Sequence, residues 1–342
     1  MSLTRRRLLT GAAATLLTPI LPGFADEIRL SGRAYGTSWQ VRLPPAGDVN
    51  TLGQDLAARL ERVDVSMSPF RADSSISRFN RAPAGWHAVD PDLAYVTAEA
   101  LRIAALTGGS FDPSVGPDVG RYGFGPIRGR RSGTFADFAV RGTAIHKSRA
   151  DMTLDLCGIA KGYALDLMAD GIAAAGFSAF VAELGGEVIA RGANPAGAPW
   201  RIGISDPLGG PLRAVVDTNG MALATSGDAI NAYEVADRRY SHIIDPQTDQ
   251  PLDNAVASVS VFAHSAMTAD ALATALMVMG SGPGRRFADE QGLAALYLER
   301  VPGGLRAAGS RAYAPTRNDG LPVTISKRRP WTMPPGSAIP SV

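Results

Sequence analysis

The chain of 342 residues contains a single cysteine, Cys157, so no internal disulfide can form and the fold must rest on its core. Of the four histidines, only His242 is embedded in a run of strongly specified residue types. Charge of one sign is also missing: 34 basic against 32 acidic residues give a net charge of +2. That balance supplies no electrostatic case for binding nucleic acid or an anionic membrane. No uninterrupted apolar run reaches the roughly 20 residues of a membrane-spanning helix.

What the N-terminus does have is an address. Arg5, Arg6 and Arg7 precede an apolar stretch from Leu8 to about Leu21, and Gly23-Phe24-Ala25 provides small residues at cleavage offsets. The arginines after Thr4, followed by Leu8 and Leu9, read as a twin-arginine export signal, with an ordinary secretory signal as the alternative. Residues 1–25 are therefore expected to be a leader cleaved near Ala25, giving a periplasmic protein. No cysteine stands at the cleavage site, so no lipid anchor is expected. Removing the leader's three arginines takes the charge from +2 to −1. The domain is expected over 26–313, and the Pro- and Arg-rich stretch 314–342 reads as a tail.

Periodicity outlines the domain. Alternating runs in Glu27–Leu43, broken near Gly36, suggest a strand pair. Apolar residues at helical spacing mark Leu52–Val63, Pro91–Leu106, Ile159–Ala175, Met267–Met279 and Gly284–Gln291. Short strands are expected at Phe138–Ile145, Met152–Leu156, Phe180–Ala182, Glu187–Ala190, Arg201–Ile204, Ala214–Asp217, Met221–Ala224, Arg239–Ile244, Ala257–Ala263, Ala295–Leu298 and Leu305–Ala308. Strands outnumber crossover helices, which favours an α+β fold with mixed or antiparallel sheets and packed helices.

Four segments carry chemistry. Met67-Ser68-Pro69-Phe70, with Ser77-Arg78-Phe79-Asn80, surrounds aromatics with polar groups; such a loop can take a flat ring or simply lie on the surface. Ser110–Gly125 is a Gly/Pro-rich loop beginning Ser110-Phe111-Asp112-Pro113. Leu154–Ala164 runs from an apolar stretch through Asp155 into a helix start bearing Lys161. Free amides and a lysine there suit a phosphate, without Walker spacing; a solvated lysine is the other reading. In Ala269–Leu276, Asp270 and Thr274 are four apart on one helix face, a pairing that suits a hard cation or, alternatively, a helix-start acid and a back-bonded hydroxyl. His87, His146 and His264 read as structural, and Cys157 as a small buried residue rather than a nucleophile.

These segments, taken in order with Gly36-Thr37, Glu183–Glu187, Ser226-Gly227-Asp228 and Ser241–Pro246, resemble the ApbE family of FAD:protein FMN transferases from about Gly32 to about Gly280. The resemblance implies two interleaved subdomains with FAD in the cleft between them and Mg2+ at its pyrophosphate. It places the metal ligands on Asp270, Thr274 and the carbonyl in the turn at Gly158. It places flavin contacts on Tyr35, Phe70, Ser110, Phe111, Asp112, Asp155, Lys161 and the His242–Ile244 stretch, including Ile244. Phe70 stands where some members have tyrosine, which keeps stacking and loses a hydroxyl. Ala273 replaces a second acid found in some members, which puts a second metal in doubt. Catalysis is expected from His242, Asp270 and Lys161: FMN passes from FAD to a threonine or serine hydroxyl of an exported acceptor flavoprotein, and AMP leaves. Hydrolysis of the FAD pyrophosphate by water, and FAD binding without turnover in an accessory protein, are the alternative readings.

Overall fold

A computed structural model describes residues 17–19, 27–45, 49, 51–218, 220–228, 232–235 and 238–313. Its centre is an eight-stranded sheet: β1 (Ile28–Ala34), β2 (Thr37–Leu43), β3 (Phe180–Leu184), β4 (Glu187–Arg191), β5 (Ala222–Gly227), β6 (Val256–Ala263), β7 (Ala294–Val301) and β8 (Gly304–Gly309). Spatial order follows chain order from β1 to β8, and every neighbouring pair is antiparallel. The sheet is thus one long meander into which everything else is inserted.

Two tight turns set its register. Tyr35 and Gly36 link β1 to β2, and Gly185 and Gly186 link β3 to β4, all four at positive φ, as a two-residue hairpin of matching twist requires. Tyr35 accepts φ of 52° without being glycine, a conformation that costs free energy and needs outside support. Its hydroxyl supplies one anchor by donating to the Leu60 carbonyl at 2.7 Å.

The longest insertion, between β2 and β3, holds α1 (Leu52–Met67), α2 (Ser75–Arg81), α3 (Pro91–Leu106), α4 (Gly116–Arg121), α5 (Ala160–Ala174) and a small three-stranded sheet of 85–88, 138–141 and 144–147. α6 (Ala266–Met279) and α7 (Ser281–Glu290) lie between β6 and β7. The inserted pair Arg201–Ile204 and Ala214–Asp217 joins Leu17–Pro19, the one stretch of the expected leader that is described, in a second small sheet. The rest of the leader and the expected tail lie outside the described residues.

Alternation along the strands separates two cores. Ala182, Ile189, Val261 and Tyr297 face the helices, where Leu165, Met168, Leu272 and Leu276 complete the larger core. Val181, Val188, Leu223, Phe262 and Leu296 face the other way and are covered by Trp200, Ile202, Ile204 and Val216. The α+β expectation holds. Two local expectations do not. Met152–Leu156 forms no strand, and the stretches read as loops at 75–81 and 116–121 are short helices.

Candidate functional site

The site is built where the N-termini of α5 and α6 meet. No side chain could stand at Gly162: a Cβ there would collide with the Ala266 carbonyl, so glycine is what allows the two helices to touch. Each helix then supplies a carboxylate to the other's first turn. Asp166 of α5 accepts from the amides of Ala266 and Met267 at 2.8 and 2.9 Å. Asp270 of α6 accepts from the Gly162 amide at 3.1 Å. Both satisfy amides that a helix start leaves without partners. Burial lifts Asp166 to about 6, against the two amides that pull it down.

The turn entering α5 is held from two sides. The Asn80 side chain bonds both the amide and the carbonyl of Leu154 at 2.8 Å, so the 152–156 run finds its hydrogen bonds in α2 rather than in a sheet. The Asp155 amide donates to Pro113 at 2.8 Å, and its carboxylate accepts from the Cys157 amide at 2.9 Å. Gly158 follows, packed so that a Cβ would lie 3.2 Å from the Phe111 ring and 3.5 Å from Thr274 Oγ1. Thr274 Oγ1 in turn lies 3.1 Å from Ser226 Oγ on β5, and either hydroxyl can donate. Gly158, Thr274, Asp270, Lys161 and Asp155 are thereby brought together, with Phe111 against them.

Lys161 forms an ion pair with Glu187 of β4. Burial acts to lower the lysine's pKa, but Glu187 and Asp270 outweigh it and hold the ammonium charged. The acids respond to the opposite excess. Burial raises Asp270, burial pushes Glu187 to about 8, and burial pushes Glu183 to about 7, each opposed by the same lysine. Three buried carboxylates thus face one ammonium, and Glu187 Oε2 has no hydrogen-bond partner among the described residues. Carboxyls whose pKa values are raised in this way are short of positive charge, and a bound cation would favour their ionised form.

The donor set fits a hard ion. No group of three or more His, Cys, Asp or Glu side chains is arranged for a metal among the described residues. One carboxylate, one hydroxyl and a nearby backbone turn are all-oxygen donors, the kind that bind Mg2+ while leaving positions for water or phosphate oxygens.

Other expected residues fall elsewhere. Asp112 is buried, its carboxylate accepts from the Ser114 amide at 2.8 Å, and burial raises its pKa. Ser110 is half-buried beside it. Ile244 is buried in a two-residue strand paired with Gln250–Pro251. His242 is half-buried and joins a ladder of rings: Phe124 lies 6.2 Å from it, Tyr233 5.2 Å from Phe124, and Tyr240 5.2 Å from Tyr233. Tyr35 leans on α1, and Phe70 is 54% exposed, so neither belongs to the Lys161–Asp270 cluster.

Cys157 corrects an expectation. It is exposed at the turn rather than buried, because Asp155 folds the backbone so that residue 157 points outward. Protein packed around one side of the thiol desolvates it and raises its pKa above the usual range, and the Asp155 carboxylate adds to the rise. Of the remaining histidines, His87 contacts the Pro83 carbonyl and the Phe79 ring, and His146 packs on Trp86, in keeping with structural roles.

Glu187 is a site residue that the sequence marks only indirectly. It and Glu183 are the only acids in the hairpin FVAEL-GG-EVIAR, whose one other charge is Arg191 at its end. A charge inside fully buried strands needs a partner, and here the partner is Lys161.

An antiparallel meander with two crossed helices, whose starts gather a lysine, carboxylates and a hydroxyl, defines an α+β protein equipped to hold a phosphate-bearing ligand. Residues 35–297 match the ApbE family, and the chain belongs to it. The FAD:protein FMN transferase of Vibrio cholerae is 35% identical over 91% of this chain and 98% of its own length. That of Escherichia coli K12 is 33% identical, over 79% and 84%. Among solved structures, the flavin transferase ApbE from Vibrio cholerae superposes with a TM-score of 0.77 at 34% identity, covering 84% of this chain and 98% of that one. The apo flavinyl transferase ApbE of Pseudomonas stutzeri gives 0.76 at 33%, over 84% and 95%.

Proposed function

We propose that this protein is a FAD:protein FMN transferase that moves FMN from FAD to a threonine or serine hydroxyl of an exported acceptor, releasing AMP. It acts in the periplasm after the 1–25 leader is removed. The observation that carries this reading is the cluster of half-buried Lys161 and Thr274 with buried Glu187 and Asp270 at the two helix starts, in a chain aligned with named transferases over nearly their whole length.

Asp270, Thr274 and the carbonyl at Gly158 would hold Mg2+, which when bound supplies positive charge to the pyrophosphate oxygens. Lys161 adds a fixed ammonium, and the start of α5 adds backbone amides, both aimed at anionic oxygen. Asp155, Asp112, Ser110, Phe111, Tyr35, Phe70 and Ile244 serve the flavin half by hydrogen bonds and packing. His242 takes the acceptor hydroxyl's proton on a ring nitrogen. The acceptor oxygen then forms a bond to the FMN-side phosphorus, and the bond from that phosphorus to the bridging oxygen breaks, so that AMP departs with the electron pair.

The test uses the purified mature protein with FAD and Mg2+, with and without an acceptor carrying the target hydroxyl. Acceptor-dependent AMP release with flavin covalently on the acceptor is the expected result. AMP and FMN formed equally without acceptor would identify a hydrolase, and no AMP under either condition a binding protein.

A further inference from the structure

The Ser226-Gly227-Asp228 motif is only half used by the site: Ser226 meets Thr274, whereas Asp228 turns away from it. Beyond Asp228 lies a hairpin of Ala232–Val235 with Arg238–Ser241, whose last residue precedes His242. Among the described strands, these two pair only with each other. A lone two-stranded hairpin is marginal in water, so this one must be held from outside.

One attachment is the ring ladder, in which Tyr233 and Tyr240 stack toward Phe124 and the Tyr233 hydroxyl donates to the Tyr122 carbonyl at 3.2 Å. The other is Asp228. Its carboxylate accepts from Arg239 Nε of the hairpin at 3.1 Å, and its carbonyl accepts from the same guanidinium. Its second carboxylate oxygen takes Arg300 of β7. Arg300 is itself fixed, with its amide on the Ala255 carbonyl at 2.7 Å and Nη1 on the Val256 carbonyl at 3.2 Å. Asp228 is 6% exposed, so its charge works in a largely dry junction.

We propose that Asp228 is a positioning residue for the transfer reaction: it ties the hairpin to the main sheet through Arg239 and Arg300 and so fixes where His242 stands. The role in catalysis rests on the reading of His242 as the base. Removing the carboxylate's charge weakens the acceptor that Arg239 and Arg300 share, which loosens the hairpin's tie to the main sheet. A displacement of about 1 Å at a catalytic group costs on the order of 100-fold in rate.

Asp228→Asn keeps the shape and one acceptor oxygen. Three measurements apply to the full mature chain: the single-turnover rate at saturating FAD and Mg2+, the FAD dissociation constant, and amide exchange by segment. The expected result is transfer slower by about 10- to 100-fold, FAD affinity within a few-fold, and faster exchange in 232–241 with 256–263 and 294–301 unchanged. In a His242→Ala background, Asp228→Asn should add no further slowing, because its effect runs through that ring. Arg239→Met breaks the hairpin side of the tie, leaves Arg300 on Asp228, and should reproduce the pattern if Asp228→Asn folds poorly. Unchanged exchange at 232–241, or a full additional loss in the His242→Ala background, would overturn the proposal. If His242→Ala itself turns over at the normal rate, the base assignment fails, and the exchange data alone decide whether Asp228 anchors the hairpin.

Discussion

Asp166 and Asp270 are related by exchange: each sits on one of two crossing helices and accepts hydrogen bonds from amides at the start of the other. The crossing is thereby fixed in both directions, and Asp270 is delivered to Lys161 and Thr274 without any loop between them.

Gly162→Ala tests that crossing. The added methyl meets the Ala266 carbonyl, so the helices must separate. Overpacking of this kind costs about 1–3 kcal/mol. A lower urea midpoint together with a large loss of transfer activity is expected, and wild-type behaviour in both would show that the helices do not depend on this contact.

Asp270→Ala should abolish FMN transfer in a protein that remains folded. A second reading is independent of turnover: Mg2+ should raise the melting temperature of the native protein and leave that of the variant unmoved, since a ligand stabilises only the state that binds it. A Mg2+-induced rise of equal size in both proteins would remove Asp270 from the metal site.

His242→Ala should slow the single-turnover rate by about 100- to 10,000-fold while FAD affinity stays within a few-fold. A histidine that only packs against the flavin gives the opposite split, with weak FAD binding and a rate restored at saturation.

Glu183 gives a pH signature. Burial lifts its pKa from 4.5 to about 7. The folded state therefore holds a proton that the unfolded state releases, and the stabilisation present below about pH 4.5 is lost as pH rises through 7. Glu183→Gln keeps the acceptor for the Gly186 amide but cannot titrate. Without metal or FAD, the native protein should lose stability relative to the variant between pH 5 and 8, by at most about 1.4 kcal/mol per pH unit. Parallel urea midpoints across that range would refute it.

Arg5→Lys combined with Arg6→Lys should leave precursor inside the cell if the leader is of the twin-arginine type. Fractionation with an antibody to the mature chain reads this directly, and normal export of the variant would point to the general secretory route.

Much of the architecture was legible in the sequence because it is local. Pro91–Leu106 occurs as expected, capped by Asp90, whose side chain accepts from the Leu93 amide. The helix expected from Ile159 begins at Ala160, and the one expected from Met267 begins at Ala266. Asp270 and Thr274 share a face because four residues make just over one helical turn, a relation that needs no tertiary contact.

What the chain could not state locally is which distant groups answer one another. Glu187 looks like any acid until β4 lies beside α5 and Lys161 reaches it. Met152–Leu156 has a strand's composition, yet Leu154 bonds Asn80 and Asp155 bonds Pro113, and Cys157 looks like a core residue but points outward. Spacing and propensity act over a few residues, and they determine the longer helices, the hairpin turns and the Asp270–Thr274 pair. Pairing of buried charges and satisfaction of buried amides act across the whole chain. Only the folded meander, by closing residues 162 and 270 onto one another, decided where the site's charge would sit.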